Sequence, residues 1–311
     1  MSKRIAVIGL YGMSALFHLK KLPDIGETAR SEGLIFEPGG KGYNQALAAL
    51  RAGADIFFAT AVGTDPYGRG ADGVFQRDGI LRYKCLVMQD AATAFAAVAG
   101  DAAGNNIVIV EQGACARVTP DMIQSLEGEL ADCEILLLQC EMPDAALLRA
   151  LELGKRHGLY TILNPAPARL LPAGLLAMVD LLTPNWSEAV SIAGLSGSPE
   201  EVGRRLADMG CANVIITMGG NGAFVRPKGQ RGYIQPAFQV PCVDSTGAGD
   251  NFNGALAARL LIGDCLQDGA RYAAASSALS VTRRGVMDAI PTIEMVEAFL
   301  LLRQTNTGKN E

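Results

Sequence analysis

Short apolar runs alternate with amphipathic segments along most of this chain. Ile5–Ile8 is an apolar run that ends at Gly9, the pattern of a strand buried on both faces. Gly42–Ala52 has helical spacing and stops at Gly53, a residue suited to a helix C-terminus. Ile56–Ala61 reads as a second buried strand and Pro66–Asp78 as a helix. Ile135–Gln139, a helix over Asp144–His157, then Tyr160–Leu163, Asp180–Leu182 and Val214–Thr217 continue the series, and Ile293–Arg303 closes it as a terminal helix. Strands alternating with helices of about a dozen residues make βαβ units and a parallel sheet. Right-handed crossovers then place helices on both faces. The expected fold class is α/β, a three-layer, doubly wound, mostly parallel sheet with its ligand site beyond the carboxyl ends of the strands.

Two stretches break this alternation. Leu16–Phe36 holds strand-like pieces around Pro23 and Gly26. Thr93–Gly100 and Asn106–Val110 read as strands joined by the turn Asp101–Asn105, a hairpin signal. Together they predict a small β-sheet set apart from the main domain, a lid built from segments about 12–36 and 93–111. So small a sheet needs a partner surface, which predicts a homodimer through the lid. The polar tail Gln304–Glu311 is expected to fray.

Composition narrows the classes. A net charge of −5 and the lack of any long basic cluster argue against nucleic acid as a partner. The seven cysteines include no C-x-x-C pair and mostly sit in apolar segments, which reads as reduced thiols of a cytoplasmic protein. His18 and His157 are the only histidines, which argues against a histidine-based zinc site. The apolar run near the N-terminus is too short for a signal peptide, and no segment has the length of a membrane span.

The most specific feature is Asp244-Ser245-Thr246-Gly247-Ala248-Gly249-Asp250, which opens the segment Asn251–Ala257. A small-residue turn at a helix start exposes backbone N–H groups that can hold an anion. Asp250 in the first turn puts a carboxylate beside that anion hole. The combination makes sense if the carboxylate takes a proton from a hydroxyl that attacks a phosphoryl group. Gly39-Gly40-Lys41-Gly42-Tyr43-Asn44-Gln45-Ala46 is a second glycine turn before a helix. Asn44 there offers the donor and acceptor a polyol needs, and the spacing is not that of a Walker A loop. Asn185 and Glu188 fit a helix capping box and equally a site for phosphate-bound water and Mg2+. Thr217-Met218-Gly219-Gly220-Asn221-Gly222 follows a strand and reads either as a cover for a nucleotide or as a hairpin turn. Gly9-Leu10-Tyr11-Gly12 lacks the G-x-G-x-x-G spacing of a dinucleotide-binding dehydrogenase.

These pieces together resemble the ribokinase-like (PfkB) carbohydrate kinases. Gly39–Ala46 with Gly53 and Gly63 is similar to the family's first signature, and Asp244–Ala257 to its second. Asn185–Glu188 is similar to its N-x-x-E motif, and Leu163–Ala168, Thr183–Asn185 and Leu138–Glu141 add to the likeness, which spans about Arg4 to Arg303. The resemblance implies one ribokinase-like kinase domain over residues 1–303 that phosphorylates a primary hydroxyl of a sugar with ATP and Mg2+. It implies Asp250 as catalytic base and Gly247, Ala248 and Gly249 as anion hole. Gly40, Lys41, Asn44 and Glu141, with Gly12 and Ser14, would contact the sugar. Asn185 and Glu188 would organise Mg2+ and phosphates, and Thr217, Gly219, Gly220 and Gly222 would line the nucleotide site. A potassium site would map to Asp244, Thr246, Ser280, Arg283 and Gly285, with Ala289 where family members carry a serine hydroxyl.

Gly12 and Ser14 stand where ribokinase-like enzymes carry an asparagine and an aspartate against sugar hydroxyls. Losing that carboxylate removes a charge-assisted acceptor, and Gly12 is expected to leave room for a differently substituted ligand. A nucleoside kinase of the same family and a non-catalytic sugar-binding sensor on the same fold are the alternatives this departure keeps open.

Overall fold

The computed structural model describes residues 3–101 and 105–307. In chain order its strands are β1 (Arg4–Ile8), β2 (Gly12–Leu19), β3 (Gly33–Gly39), β4 (Asp55–Gly63), β5 (Tyr83–Met88), β6 (Ala94–Asp101), β7 (Asn106–Glu111), β8 (Ile135–Gln139), β9 (Tyr160–Asn164), β10 (Leu181–Leu182), β11 (Asn213–Thr217), β12 (Ala223–Arg226) and β13 (Tyr233–Gln235). The helices are α1 (Lys41–Arg51), α2 (Pro66–Arg77), α3 (Pro120–Gln124), α4 (Glu127–Leu130), α5 (Asp144–Arg156), α6 (Trp186–Ala193), α7 (Pro199–Asp208), α8 (Ala248–Leu261), α9 (Leu266–Ser280) and α10 (Ile293–Thr307).

Among the described residues the large sheet has nine strands in the order β13-β12-β11-β10-β9-β8-β1-β4-β5, parallel from β5 to β11 with an antiparallel edge hairpin, β12 and β13. Each central strand is apolar on both sides. Ile5, Val7, Ile135 and Leu137 pack against α1, α8 and α9, while Ala6, Ile8, Leu136 and Leu138 face the layer holding α3, α5 and α7. The expected three-layer, doubly wound α/β fold is therefore present. No dehydrogenase-type helix follows Gly9–Gly12, because the chain enters β2 there.

The second sheet has the order β3-β2-β6-β7, with β2 and β6 parallel and both outer pairs antiparallel. The expected hairpin is β6–β7, whose turn at 102–104 lies outside the described residues. The strand expected to end near Phe36 runs to Gly39, Pro38 being tolerated because β3 is an edge strand. The terminal helix also runs past Arg303 to Thr307, so the polar tail begins as helix, and 308–311 lie outside the described residues. Among the described residues no helix is long and apolar enough to cross a membrane, and all the cysteines are free thiols.

Candidate active site

Helix α8 starts at the turn Asp244–Gly247. Gly247 has φ +74°, and a Cβ there would come within 2.6 Å of Val286 Cγ1, so a glycine is required. Asp244 stiffens the turn from outside. Its Oδ1 accepts from the Thr246 N–H (2.9 Å) and its Oδ2 from the Gly285 N–H (3.1 Å). Asp250 follows in the first turn and is buried.

Helix α1 crosses α8 at close range. A Cβ on Gly254 would lie 2.3 Å from the Gln45 carbonyl and 2.6 Å from the Ala48 side chain. That approach brings Asn44 and Gln45 onto Asp250. Asn44 Nδ2 donates to Asp250 Oδ2 at 2.8 Å, and Gln45 Nε2 donates to Asp250 Oδ1 at 3.0 Å. Gln45 is held in turn. Its Nε2 also donates to Asn164 Oδ1 (3.1 Å), and its Oε1 accepts from Gln139 Nε2 (2.7 Å). Asn164 Nδ2 donates to the Thr183 carbonyl, the Thr183 hydroxyl to Asn253 Oδ1, and Asn253 Nδ2 to the Gly249 carbonyl. A polar network thus fixes the buried carboxylate at the floor of the site, where each satisfied bond is stronger than in water and each broken one more costly. Asn44 Oδ1 has no protein partner although it is buried, and it borders the cavity described next, where a hydroxyl donor fits it.

Two cavities meet at this helix start. The first, about 460 Å³, is walled by Gly12, Ser14, Gly40, Lys41, Asn44, Glu141, Asn185, Glu188, Thr246 and Gly247–Asp250. The second, about 280 Å³, is walled by Gly219, Gly220, Gly222 and apolar side chains such as Phe238, Val240 and Phe252. Thr217, Ser245, Ala248 and Gly249 border both. The turn at Gly219–Gly222 is the hairpin turn between β11 and β12, and it walls the second cavity. Gly222 has φ +88°, and a Cβ there would strike the Gln235 carbonyl at 2.1 Å.

Electrostatics of the first cavity are dominated by carboxylates. Burial pushes Glu141 up to about 7; Lys41 opposes that shift and Asp250 adds to it. Glu141 Oε2 also accepts from the Lys41 N–H at 3.2 Å. Burial pulls the Lys41 ammonium down, but Asp250, Glu141 and Glu188 more than offset this and hold its pKa above the usual lysine value. Glu188 is raised by burial and held back by the Asn185 N–H and Lys41. Asn185 and Glu188 do form the capping box, Asn185 Oδ1 accepting from the Glu188 N–H (2.9 Å) and Glu188 Oε2 from the Asn185 N–H (2.8 Å), while both still border the cavity.

Of the remaining sequence-chosen residues, Asp244, Ser280, Arg283 and Gly285 wall neither cavity. They lie along the turn before α8 and the segment after α9, where the Ser280 carbonyl accepts from the Arg283 N–H. The expectation that Gly12 leaves room for a ligand is overturned. A Cβ there would meet the Ala94 carbonyl at 2.2 Å, so strand β6 already fills that space. Sequence reasoning missed Gln139, Asn164, Thr183 and Glu37. The first three are single polar residues at the carboxyl ends of apolar parallel strands or just after them, a signal the sequence did carry. Glu37 borders the first cavity from the lid.

Residues 2–293 match the pfkB family carbohydrate kinases. The chain is 31% identical over 304 residues to a ribokinase of Haemophilus influenzae, covering 96% of this chain and 99% of that one. It is 30% identical over 305 residues to a deoxyribokinase of Salmonella typhi, again covering 96% and 99%. The structure of Arabidopsis thaliana ribokinase complexed with ribose and ATP is similar with a TM-score of 0.86 at 26% identity, over 96% of this chain and 99% of that one. With a match that runs nearly end to end and a buried carboxylate at the start of α8, the chain belongs to the pfkB family of carbohydrate kinases.

Proposed function

We propose that this protein transfers the γ-phosphoryl group of ATP to the primary hydroxyl of a sugar. The observation that carries the reading is the meeting of two cavities at the start of α8, with Asp250 buried on the polar side and oriented through both oxygens. The sugar takes the first cavity, between Asn44, Lys41 and Glu141, and ATP the second, its base against the apolar wall near Phe252. Asp250 accepts the hydroxyl proton as the oxygen–phosphorus bond forms and the bond to ADP breaks. The backbone N–H groups of Gly247 and Gly249 face the charge on the transferring group, whereas the third expected donor, the Ala248 N–H, is given to the Ser245 carbonyl at 3.2 Å and would have to exchange that partner for the phosphoryl oxygen.

Asn185 and Glu188 are hard oxygen donors that suit Mg2+ carried on the phosphates, and the ion supplies charge neutralisation when bound. Potassium would take the segment Asp244, Thr246, Ser280, Arg283 and Gly285, where Asp244 already holds the Thr246 and Gly285 N–H groups. Residues 1–303 work as one kinase domain, with the small sheet as a lid that excludes water. Its outer face carries the exposed side chains Leu34, Phe36, Ile107 and Ile109, which supports a homodimer through the lid. Free thiols and the kinase chemistry support a cytoplasmic protein.

The test is ADP release from ATP with ribose, 2-deoxyribose, other pentoses and hexoses, and nucleosides measured side by side. Turnover of a sugar at low concentration is expected, and the Salmonella relative's name makes 2-deoxyribose an essential member of the panel. Turnover of nucleosides alone would move the reading to a nucleoside kinase. Sugar binding with no turnover of any substrate would make the protein a sensor.

A further inference from the structure

The wall that the lid gives to the first cavity is apolar in the main, with Leu16, Ala96, Val98 and Val110 along it. Among the described residues Glu37 is the one charged side chain the lid contributes to that wall. It stands directly across the β2–β3 ladder from Ser14, so the two side chains share the cavity face. The Val286 N–H donates to Glu37 Oε1 at 3.0 Å, and Oε2 lies against Gly285. Val286 in turn packs on Gly247, so the carboxylate is fixed relative to the start of α8.

An ionised carboxylate has about four acceptor positions; the Val286 N–H takes one and the Met287 N–H also engages the group, which leaves acceptor capacity for a ligand. A half-desolvated acceptor on an apolar wall has need of donors, and a substrate hydroxyl is a donor of the right size and charge. A carboxylate there also repels a substrate that already carries a phosphate or carboxylate.

We propose that Glu37, with Ser14 beside it, is a specificity-determining residue that accepts hydrogen bonds from the lid-facing hydroxyls of a neutral polyol. This rests on the reading of the first cavity as the sugar site. Glu37 touches neither the reacting hydroxyl nor ATP; it selects which sugar is held beneath the lid.

The test compares wild type, Glu37→Gln and Glu37→Ala with ribose and its analogues lacking one hydroxyl each. Glu37→Gln keeps an oxygen for the Val286 N–H and removes the charge. Both variants are expected to raise KM for ribose roughly 10- to 100-fold with little change in kcat. The analogue missing the lid-facing hydroxyl should show the same KM in all three proteins. An equal rise for every analogue, or a fall in kcat alone, would overturn the proposal and leave Glu37 as a tether for the Gly285–Val286 segment. Calorimetric titration of ribose without ATP reads the same contrast apart from turnover. A wild type that binds ribose but phosphorylates nothing sinks the kinase reading alone. No binding of ribose or of any analogue to wild type overturns the inference itself.

Discussion

Asp250 and Glu37 face the same cavity from opposite sides and are held in different ways. Asp250 is gripped on both oxygens by buried amides, which are tied through Gln139, Asn164 and Thr183 to the ends of the central parallel strands. Glu37 has the Val286 N–H and a place on an edge strand of a small sheet whose outer face is exposed. The floor is over-determined, so Asp250 arrives oriented and little of its geometry has to be organised at the moment of reaction. The lid side chain reaches the floor through Val286, apart from the amides that grip Asp250. Under the proposed reading, such a division would put the chemistry on the rigid part and the choice of substrate on the lid.

Asp250→Asn strikes the floor where the effect is greatest. Removing the base should lower kcat by about 100- to 10,000-fold, with sugar binding retained in calorimetry. A variant within tenfold of wild type would show that another group takes the proton.

Gly254→Ala attacks the packing rather than the chemistry. The new methyl group meets the Gln45 carbonyl, so α1 must move away from α8 and pull Asn44 and Gln45 off Asp250. Overpacking of this kind costs about 1–3 kcal/mol, read by denaturant unfolding, and kcat should fall with it. Unchanged kcat at reduced stability would mean the network re-forms and the floor is softer than its contacts imply.

Glu141→Gln probes the floor through pH. The carboxyl is raised from 4.5 to about 7, so between those values the folded protein keeps a proton that the unfolded chain has lost. The stability this proton carries is present in acid and is lost as pH rises through about 7. Thermal unfolding of wild type should therefore lose stability from pH 5 to pH 8, and the variant should show a smaller loss. Parallel profiles for the two proteins would remove Glu141 as the source.

Phe36→Ser has the smallest expected effect on the monomer, because the side chain is exposed on the lid's outer face. Stability should change by about 0.5 kcal/mol or less, while sedimentation of wild type should show the proposed lid dimer and the variant a weaker one. An unaltered dimer would place the interface elsewhere.

Most of the parallel sheet was legible from the chain, since strands buried on both faces are written as unbroken apolar runs. β5 was not, because the edge strand Tyr83–Met88 mixes Lys84 and Cys85 with its apolar residues. α9 was not, because its Ala and Ser residues mark no distinct apolar stripe. In the candidate site, the glycine turns and Asp250 were legible as local patterns. Gln139, Asn164 and Thr183 carried a signal too general to single them out, because one polar residue after an apolar strand looks like the start of any loop. Glu37 was hidden between Phe36 and Pro38, where proline argues against strand.

The sequence by itself determined the alternation of strands and helices and the glycine turn with a carboxylate in the helix behind it. Those features depend on residues within a turn or two of each other, so periodicity and spacing suffice to read them. Only the tertiary structure decided that Asn44 and Gln45 meet Asp250 more than 200 residues later in the chain, and that Glu37 stands opposite Ser14 over the same cavity. Sheet order, strand register and the close crossing at Gly254 set those meetings, and each is a sum of many weak contacts over the whole fold that no local pattern records.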